Sequence, residues 1–192
     1  MSKNAILPVA LLFVLCSCKT AEFGYTVIDL NGMVYDFANK PVPNYLVTVG
    51  EKNVSVTDIN GRFVMEKIAL GVYPIKGEKE GFEPFAETLD IFDRGQIVYI
   101  RVPSSGQLLE LADVALSKNR LDEAEAYLKR AWDIGDITAE LLMYYAAVKF
   151  RQGLYDEAIV RLQSAVNRGS QDRYIEKFLD YLLEKKSREN EN

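Results

Sequence analysis

The feature that most narrows what this chain can fold into is a change of hydrophobic period at Pro103-Ser104-Ser105-Gly106. Before that point, short runs at 25–30, 45–49, 54–56, 62–65, 72–75 and 96–102 alternate apolar with polar residues and are rich in valine, isoleucine and tyrosine. A period of two is the mark of half-buried strands. After it, Leu108, Leu111, Ala112 and Ala115 recur at i, i+3, i+4 and i+7, and Ala124, Leu128 and Ala131 continue the same rhythm. That is the mark of amphipathic helices. The chain therefore divides into a β part at 25–102 and an α part from 107, joined by a linker at 103–106 too short to act as a leash. The two parts are expected to touch. No stretch in the β part is long and periodic enough for a crossover helix, so its many short strands predict a sandwich or a small barrel.

Turn chemistry sharpens the first part. In Thr57-Asp58-Ile59-Asn60-Gly61-Arg62-Phe63 the Asn-Gly pair tolerates positive φ, and the Asp58 carboxylate is placed to accept backbone N–H groups, which predicts a hairpin. Upstream, Gly32-Met33-Val34 and Lys40-Pro41-Val42-Pro43 bracket another turn. Downstream, Gly71-Val72-Tyr73 opens a strand and Glu80-Gly81-Phe82 closes it. In this order the pieces resemble the carboxypeptidase regulatory-like domain, whose fold is a seven-stranded transthyretin-like β-sandwich. The resemblance covers nearly all of 25–102 and implies a rigid non-catalytic module, a spacer or binding platform. Asp58 and Asn60 alone fall short of the six to eight oxygens that calcium takes, so the structural turn is the preferred reading. The acidic set Glu78, Glu80, Glu83 and Glu87 reads as a solvated strand edge rather than a catalytic pair.

In the second part the sequence repeats itself. Leu121-Asp122-Glu123-Ala124 returns as Tyr155-Asp156-Glu157-Ala158, Ala131 as Ala165 and Ala112 as Ala146, each 34 residues on. A helix-turn-helix unit of that length resembles the tetratricopeptide repeat. The resemblance implies two repeats at 107–169, with small residues at Ala112, Ala124, Ala131, Ala146, Ala158 and Ala165 where helices approach closely. The inter-helix glycine is present only in the second repeat, as Gly153. Ser170 is placed to cap a last helix at 170–186 with Ile175, Phe178, Leu179 and Leu182 as its apolar stripe, followed by a charged tail at 187–192. Two repeats and a seal are fewer than a free-standing solenoid needs, so the missing burial is expected from docking of the first helix on the sandwich, from a second copy, or from a partner. Such stacks bind through the face made by their first helices. Here that face maps to Leu109, Asp113, Leu116, Met143, Ala147, Phe150, Arg151, Tyr174, Lys177 and Tyr181. Met143, Phe150, Arg151, Tyr174, Lys177 and Tyr181 form the expected protein-binding groove, because aromatics, methionine and arginine are enriched at interfaces.

The N-terminus carries one cation, Lys3, then an apolar run from Ala5 to Leu15, which is too short to span a bilayer and has the length of a signal-peptide core. It ends in Leu15-Cys16-Ser17-Cys18, which resembles the bacterial lipobox. Cleavage after 17 and acylation of Cys18 follow from that resemblance, giving a lipoprotein signal peptide at 1–17, a tether at 18–24 and a membrane anchored through lipid at Cys18. Lys19 is not the aspartate that holds such proteins at an inner membrane, so the outer membrane of a two-membrane envelope is favoured.

Composition removes other classes. The net charge is −5, with 8 basic against 11 acidic residues in 25–103 and 13 against 16 in 104–192, so no basic patch exists for nucleic acid. There is no histidine, and both cysteines lie in the leader region. The usual general base, zinc ligand and triads are absent. The sequence thus predicts a multidomain β + α envelope lipoprotein with no cofactor, no metal and no enzymatic activity. It is expected to be an adaptor or assembly factor with a protein partner and a possible homo-oligomer. The alternative is a glycan-binding lipoprotein that stacks sugars on Phe82, Phe85, Phe92, Tyr35 and Phe37.

Overall fold

The computed structural model describes residues 26–190. The expected signal peptide, the tether and Cys18 lie outside them. Seven strands come first: β1 (Val27–Tyr35), β2 (Leu46–Val49), β3 (Asn53–Val56), β4 (Arg62–Ala69), β5 (Gly71–Glu78), β6 (Phe85–Ile91) and β7 (Ile97–Arg101). Five helices follow: α1 (Ser105–Ser117), α2 (Leu121–Ile134), α3 (Ala139–Arg151), α4 (Tyr155–Asn167) and α5 (Arg173–Asn190). The chain is a mixed β + α protein.

The strands form a three-stranded sheet in the order β4-β1-β7, with β1 antiparallel to β4 and parallel to β7, and a four-stranded antiparallel sheet in the order β3-β2-β5-β6. Alternate residues of both sheets, among them Leu30, Val34, Val47, Phe63, Ile75, Ile91 and Ile100, meet in one buried cluster. Each such side chain gains about 1.5–3 kcal/mol on leaving water.

Three expectations about this part are corrected. The first strand does not stop at Leu30 but runs on to Tyr35: Gly32 lies inside β1 opposite Phe63, whose ring covers it, and the turn expected between the 32–34 and 40–43 segments follows at 36–39, where Asn39 donates its N–H to the Asp36 carbonyl at 3.1 Å. The 57–63 segment is not a hairpin, because β3 pairs with β2 and β4 pairs with β1, so the turn passes between sheets. Its chemistry is as expected: Asp58 Oδ1 accepts the N–H groups of Asn60 at 2.8 Å and Arg62 at 2.9 Å, and Gly61 takes φ 74°. Thr57 pins the other side, donating to the Val42 carbonyl at 2.6 Å and accepting from the Tyr45 N–H at 2.8 Å. Third, β6 gave no readable period, because Glu87 stands in the row that pairs with Ile75 and interrupts the apolar alternation. A charge placed that way on an edge strand discourages pairing with another chain.

The backbone N–H of Arg62 is the leading cause that holds the Asp58 carboxyl below the usual carboxylate range. A depressed carboxyl stabilises the fold above its unfolded pKa, and that contribution fades as pH falls through the folded value. Asp58→Asn keeps an acceptor for the turn and removes the titration. The variant is expected to lose less of its urea midpoint than the parent between pH 7 and pH 3; equal losses would detach the turn from acid stability.

The first helix of each pair starts on a side-chain cap, while α2 and α4 begin without one. Ser104 opens α1 with a capping box in which Gln107 reciprocates, and the Thr138 hydroxyl accepts the Leu141 N–H at 3.1 Å at the start of α3. The linker therefore shrinks, since the helix expected from 107 begins at Ser105. The last helix is also shifted. Its first turn is held by Asp172, which accepts the Tyr174 N–H at 2.8 Å, and not by Ser170. It runs on to Asn190, through most of the expected tail. Ser104, Thr138 and Asp172 are spaced by 34, so α1, α3 and α5 begin in one register. The glycine missing from the first repeat has a substitute: Asn119 takes φ 57° where Gly153 takes 79°. Asparagine is the residue that best tolerates this region after glycine.

The six alanines singled out from the repeat are all buried, as are Leu108 and Leu142, and Leu128 and Leu162, two further pairs at the same spacing. Two clusters result, one among α1, α2 and α3, the other among α3, α4 and α5.

The two parts touch at one end of the sheets. Ser105 donates its N–H to the Gly81 carbonyl at 2.9 Å, and Glu83 donates its own to Pro103 at 3.0 Å. The Gln107 side chain bonds to Asp36 at 2.9 Å and accepts from the Phe37 N–H at 3.3 Å. Arg130 of α2 holds Glu83 with two bonds of 2.7 Å. Glu83 is thus no part of a solvated edge. A two-pronged pair of this exposure contributes about 1 kcal/mol, and its geometry fixes orientation more than stability.

Candidate protein-binding surface

The face expected to bind is made by α1, α3 and α5. On α3 the small steps Met143, Ala147 and Phe150 share one side, at i, i+4 and i+7; on α5 Tyr174, Lys177, Phe178 and Tyr181 do the same. The two rows meet at Phe150. Its ring lies 5.6 Å from Phe178 and 6.0 Å from Tyr181, both edge-on, and 5.8 Å from Tyr155 of α4. Edge-to-face rings of this kind add roughly 0.5–1.5 kcal/mol each to the area they bury.

The six expected groove residues fall into three groups. Phe150 and Met143 are half-buried and pack on the inner cluster, so they are floor. Tyr181, Tyr174 and Lys177 are rim: Tyr174 is 78% exposed, Tyr181 is 51% exposed, and Lys177 is exposed beside them. Arg151 turns toward α1 and donates to the Leu116 carbonyl at 3.4 Å, which satisfies a helix C-terminus. Of the wider set, Leu109 and Leu116 are buried and join helix to helix, while Asp113 stays exposed.

Two contributors were not read from the sequence. Tyr155, taken as the bulky residue before a helix, supplies a ring to the cluster, and Lys185 lies 4.9 Å above it. Tyr144, next to Met143, is half-buried; burial first, then Asp113 and Glu140, raise its hydroxyl pKa above the ordinary value. The phenol therefore stays a neutral donor on this face.

Behind the face, Glu125 accepts from Lys149 at 2.8 Å and Gln152 at 2.9 Å. The Lys149 bond is the main cause that lowers the Glu125 pKa, and the same bond raises that of Lys149. Arg161 lies 5.1 Å from the Trp132 ring and 5.2 Å from Tyr145, themselves edge-to-face at 5.9 Å. These groups tie α2, α3 and α4 together.

Of the five aromatics of the glycan alternative, Phe92 lies at the opposite end of the sheets from the other four, which lie toward the helices. Phe85 and Phe92 flank β6 at opposite ends, Phe37 stacks against Arg101, and Phe82 lies half-buried under Lys79. Among the described residues no group of three or more His, Cys, Asp or Glu side chains is placed to hold a metal ion, and no helix is long and apolar enough to cross a membrane.

No family model matches this chain, and no curated protein matches it. Among solved structures, part of the chain is similar to two interface mutants of a type II cohesin–X–dockerin complex from Acetivibrio cellulolyticus. The first shares 17% identity at a TM-score of 0.36 over 41% of this chain, the second 18% at 0.35 over 40%; each match spans 58% of that chain. The major pilin subunit of Bacillus cereus is similar at 14% identity and a TM-score of 0.33, over 41% of this chain and 29% of that one. The chain thus spans less than two thirds of each of these three structures.

Proposed function

We propose that this protein is an envelope lipoprotein that works as a non-enzymatic adaptor. In this reading acylated Cys18 holds it at a membrane, a transthyretin-like sandwich serves as spacer, and a tetratricopeptide-type stack presents a face to another protein. The observation that carries the proposal is the rim of α5. Two tyrosines and a lysine stand exposed in a row over a rigid aromatic floor, which is the composition of an interface centre without its partner. The 34-residue register of α1, α3 and α5 supports the repeat reading, and the pinned joint supports the spacer.

The far side of α5 supports a stack that ends there. Asp180 occupies the position that matches Ala112 and Ala146, and it is exposed where they are buried. A charge at the place where the next helix would pack is how a repeat array is closed.

The test is photocrosslinking in intact cells from position 174 or 177, with position 160 on the exposed side of α4 as control. A defined adduct from α5 and none from position 160 is the expected result, and Tyr181→Ala should cut its yield about tenfold, the effect of losing an interface anchor. Equal labelling from both faces would remove the groove. Cys18→Ala should move the protein out of the membrane fraction; retention would remove the anchor. Glycan binding that survives Tyr174→Ala and Tyr181→Ala would favour the alternative.

A further inference from the structure

We infer that the end of the β part farthest from the helices is a lipid-contacting surface, built to rest on a phospholipid bilayer; this rests on the lipoprotein reading. The strands fix which residues share that end. β1 begins there at Val27, β4 ends there at Ala69, β5 begins there at Gly71, and β6 ends there opposite Gly71 at Ile91. The helices attach at the other end, where β1 finishes at Tyr35 and β5 at Glu78. Nine residues of β1 separate the two ends by roughly 30 Å.

Four apolar side chains project from the far end into solvent: Phe92 at 70% exposed, Val72 at 66%, Val27 at 48% and Leu70 at 38%. They are neighbours in the register. Gly71 pairs with Ile91, so Leu70 and Phe92 stand one step beyond that pair on one side, while the Leu70 N–H bonds to the Thr26 carbonyl and brings Val27 alongside. The carboxylates at this end do not make it a cationic site: Asp93 accepts the Gly95 N–H within its loop, Asp29 of β1 accepts the Lys67 N–H of β4, and Asp90 stands exposed opposite Val72, where it disfavours an anionic surface. An uncharged, zwitterionic lipid surface is therefore the partner that this end fits.

What selects lipid over another occupant is where the chain enters. The first described residue, Thr26, lies at this same end. Residues 19–25 are all that separate it from Cys18, a span of at most about 25 Å. An acyl chain on Cys18 thus confines this end to the neighbourhood of the bilayer, where exposed phenylalanine, leucine and valine enter the interface readily. The helical face is held on the opposite side, away from the lipid.

The test uses the full chain, expressed with its leader and reconstituted in phosphatidylcholine vesicles that carry a brominated lipid. No cysteine follows Cys18, so Phe92→Cys or Ile59→Cys gives one labelling site for a polarity-sensitive fluorophore. The label at 92 is expected to be quenched at least about threefold more than the label at 59, which sits in the turn at the helix-bearing end. An unquenched label at 92, with the acyl mass found on the Cys18 peptide, overturns the lipid contact and leaves the lipoprotein reading standing. A missing acyl mass overturns both. Quenching that vanishes on dilution of protein per lipid assigns the surface to a second copy, and also overturns it.

Discussion

Gly32→Ala is expected to cost the β part about 3 kcal/mol, enough to unfold a marginal domain, although the change adds one methyl group. A Cβ at this position would lie 2.1, 2.3 and 2.8 Å from three atoms of the Phe63 ring, far inside contact distance. The ring cannot swing away, because Phe63 is itself buried in the cluster shared by both sheets. The control is Gly81→Ala. There the new Cβ meets nothing within 4 Å and only the positive φ of 79° is penalised, at about 1 kcal/mol. Urea unfolding of the two variants checks the difference. Phe63→Leu in the Gly32→Ala background should recover part of the loss, because the smaller side chain makes room; additive losses would show that the ring and the glycine are not coupled.

Gly32 also shows why parts of this fold were not legible in the sequence. A glycine after Asn31 breaks the apolar alternation when only neighbours along the chain are considered, which is why the first run ends at Leu30 in the sequence pattern. Its true reason is a ring on another strand, 31 positions away. The same holds for the Asp58 turn. Its local hydrogen bonds were readable because they close within four residues, whereas the sheet to which each flanking strand belongs depends on pairings with β1 and β2. β6 was hidden because an edge strand needs only one apolar side. Phe85, Leu89 and Ile91 serve that side, and Glu87 interrupts it.

The helical part was far more legible, since its determinants are local and recur. Three N-caps at one spacing fix three helix starts in the structure, but only one cap, Ser170, was read from the sequence, and Ser104, Thr138 and Asp172 were passed over. For the groove residues, periodicity put Met143 and Phe150 on one side of α3 and Tyr174, Lys177 and Tyr181 on one side of α5, and it could not say which were floor and which were rim. That split depends on ring contacts between Phe150, Phe178 and Tyr181, which are set by how the helices cross. The pairing of Arg130 with Glu83, 47 positions apart, leaves no mark in either local pattern.

The matched leucines give the other large effect. Leu128 and Leu162 are 34 apart, both fully buried, and each fills the space between the two helices of its own hairpin and a third. Truncation of either to alanine leaves a cavity and is expected to cost about 3 kcal/mol. The losses should resemble each other, because equivalent positions in a repeated unit have equivalent surroundings. The helical and β clusters share no buried residue, so the loss should fall on the helical transition and leave that of the β part in place. Circular dichroism at 222 nm follows the first, and a fluorophore attached at position 92 in a Phe92→Cys background follows the second. A single transition that moves as a whole in Leu162→Ala would mean that the joint at Arg130 and Gln107 couples the two parts into one cooperative unit, with the β part and the helical part stable only together.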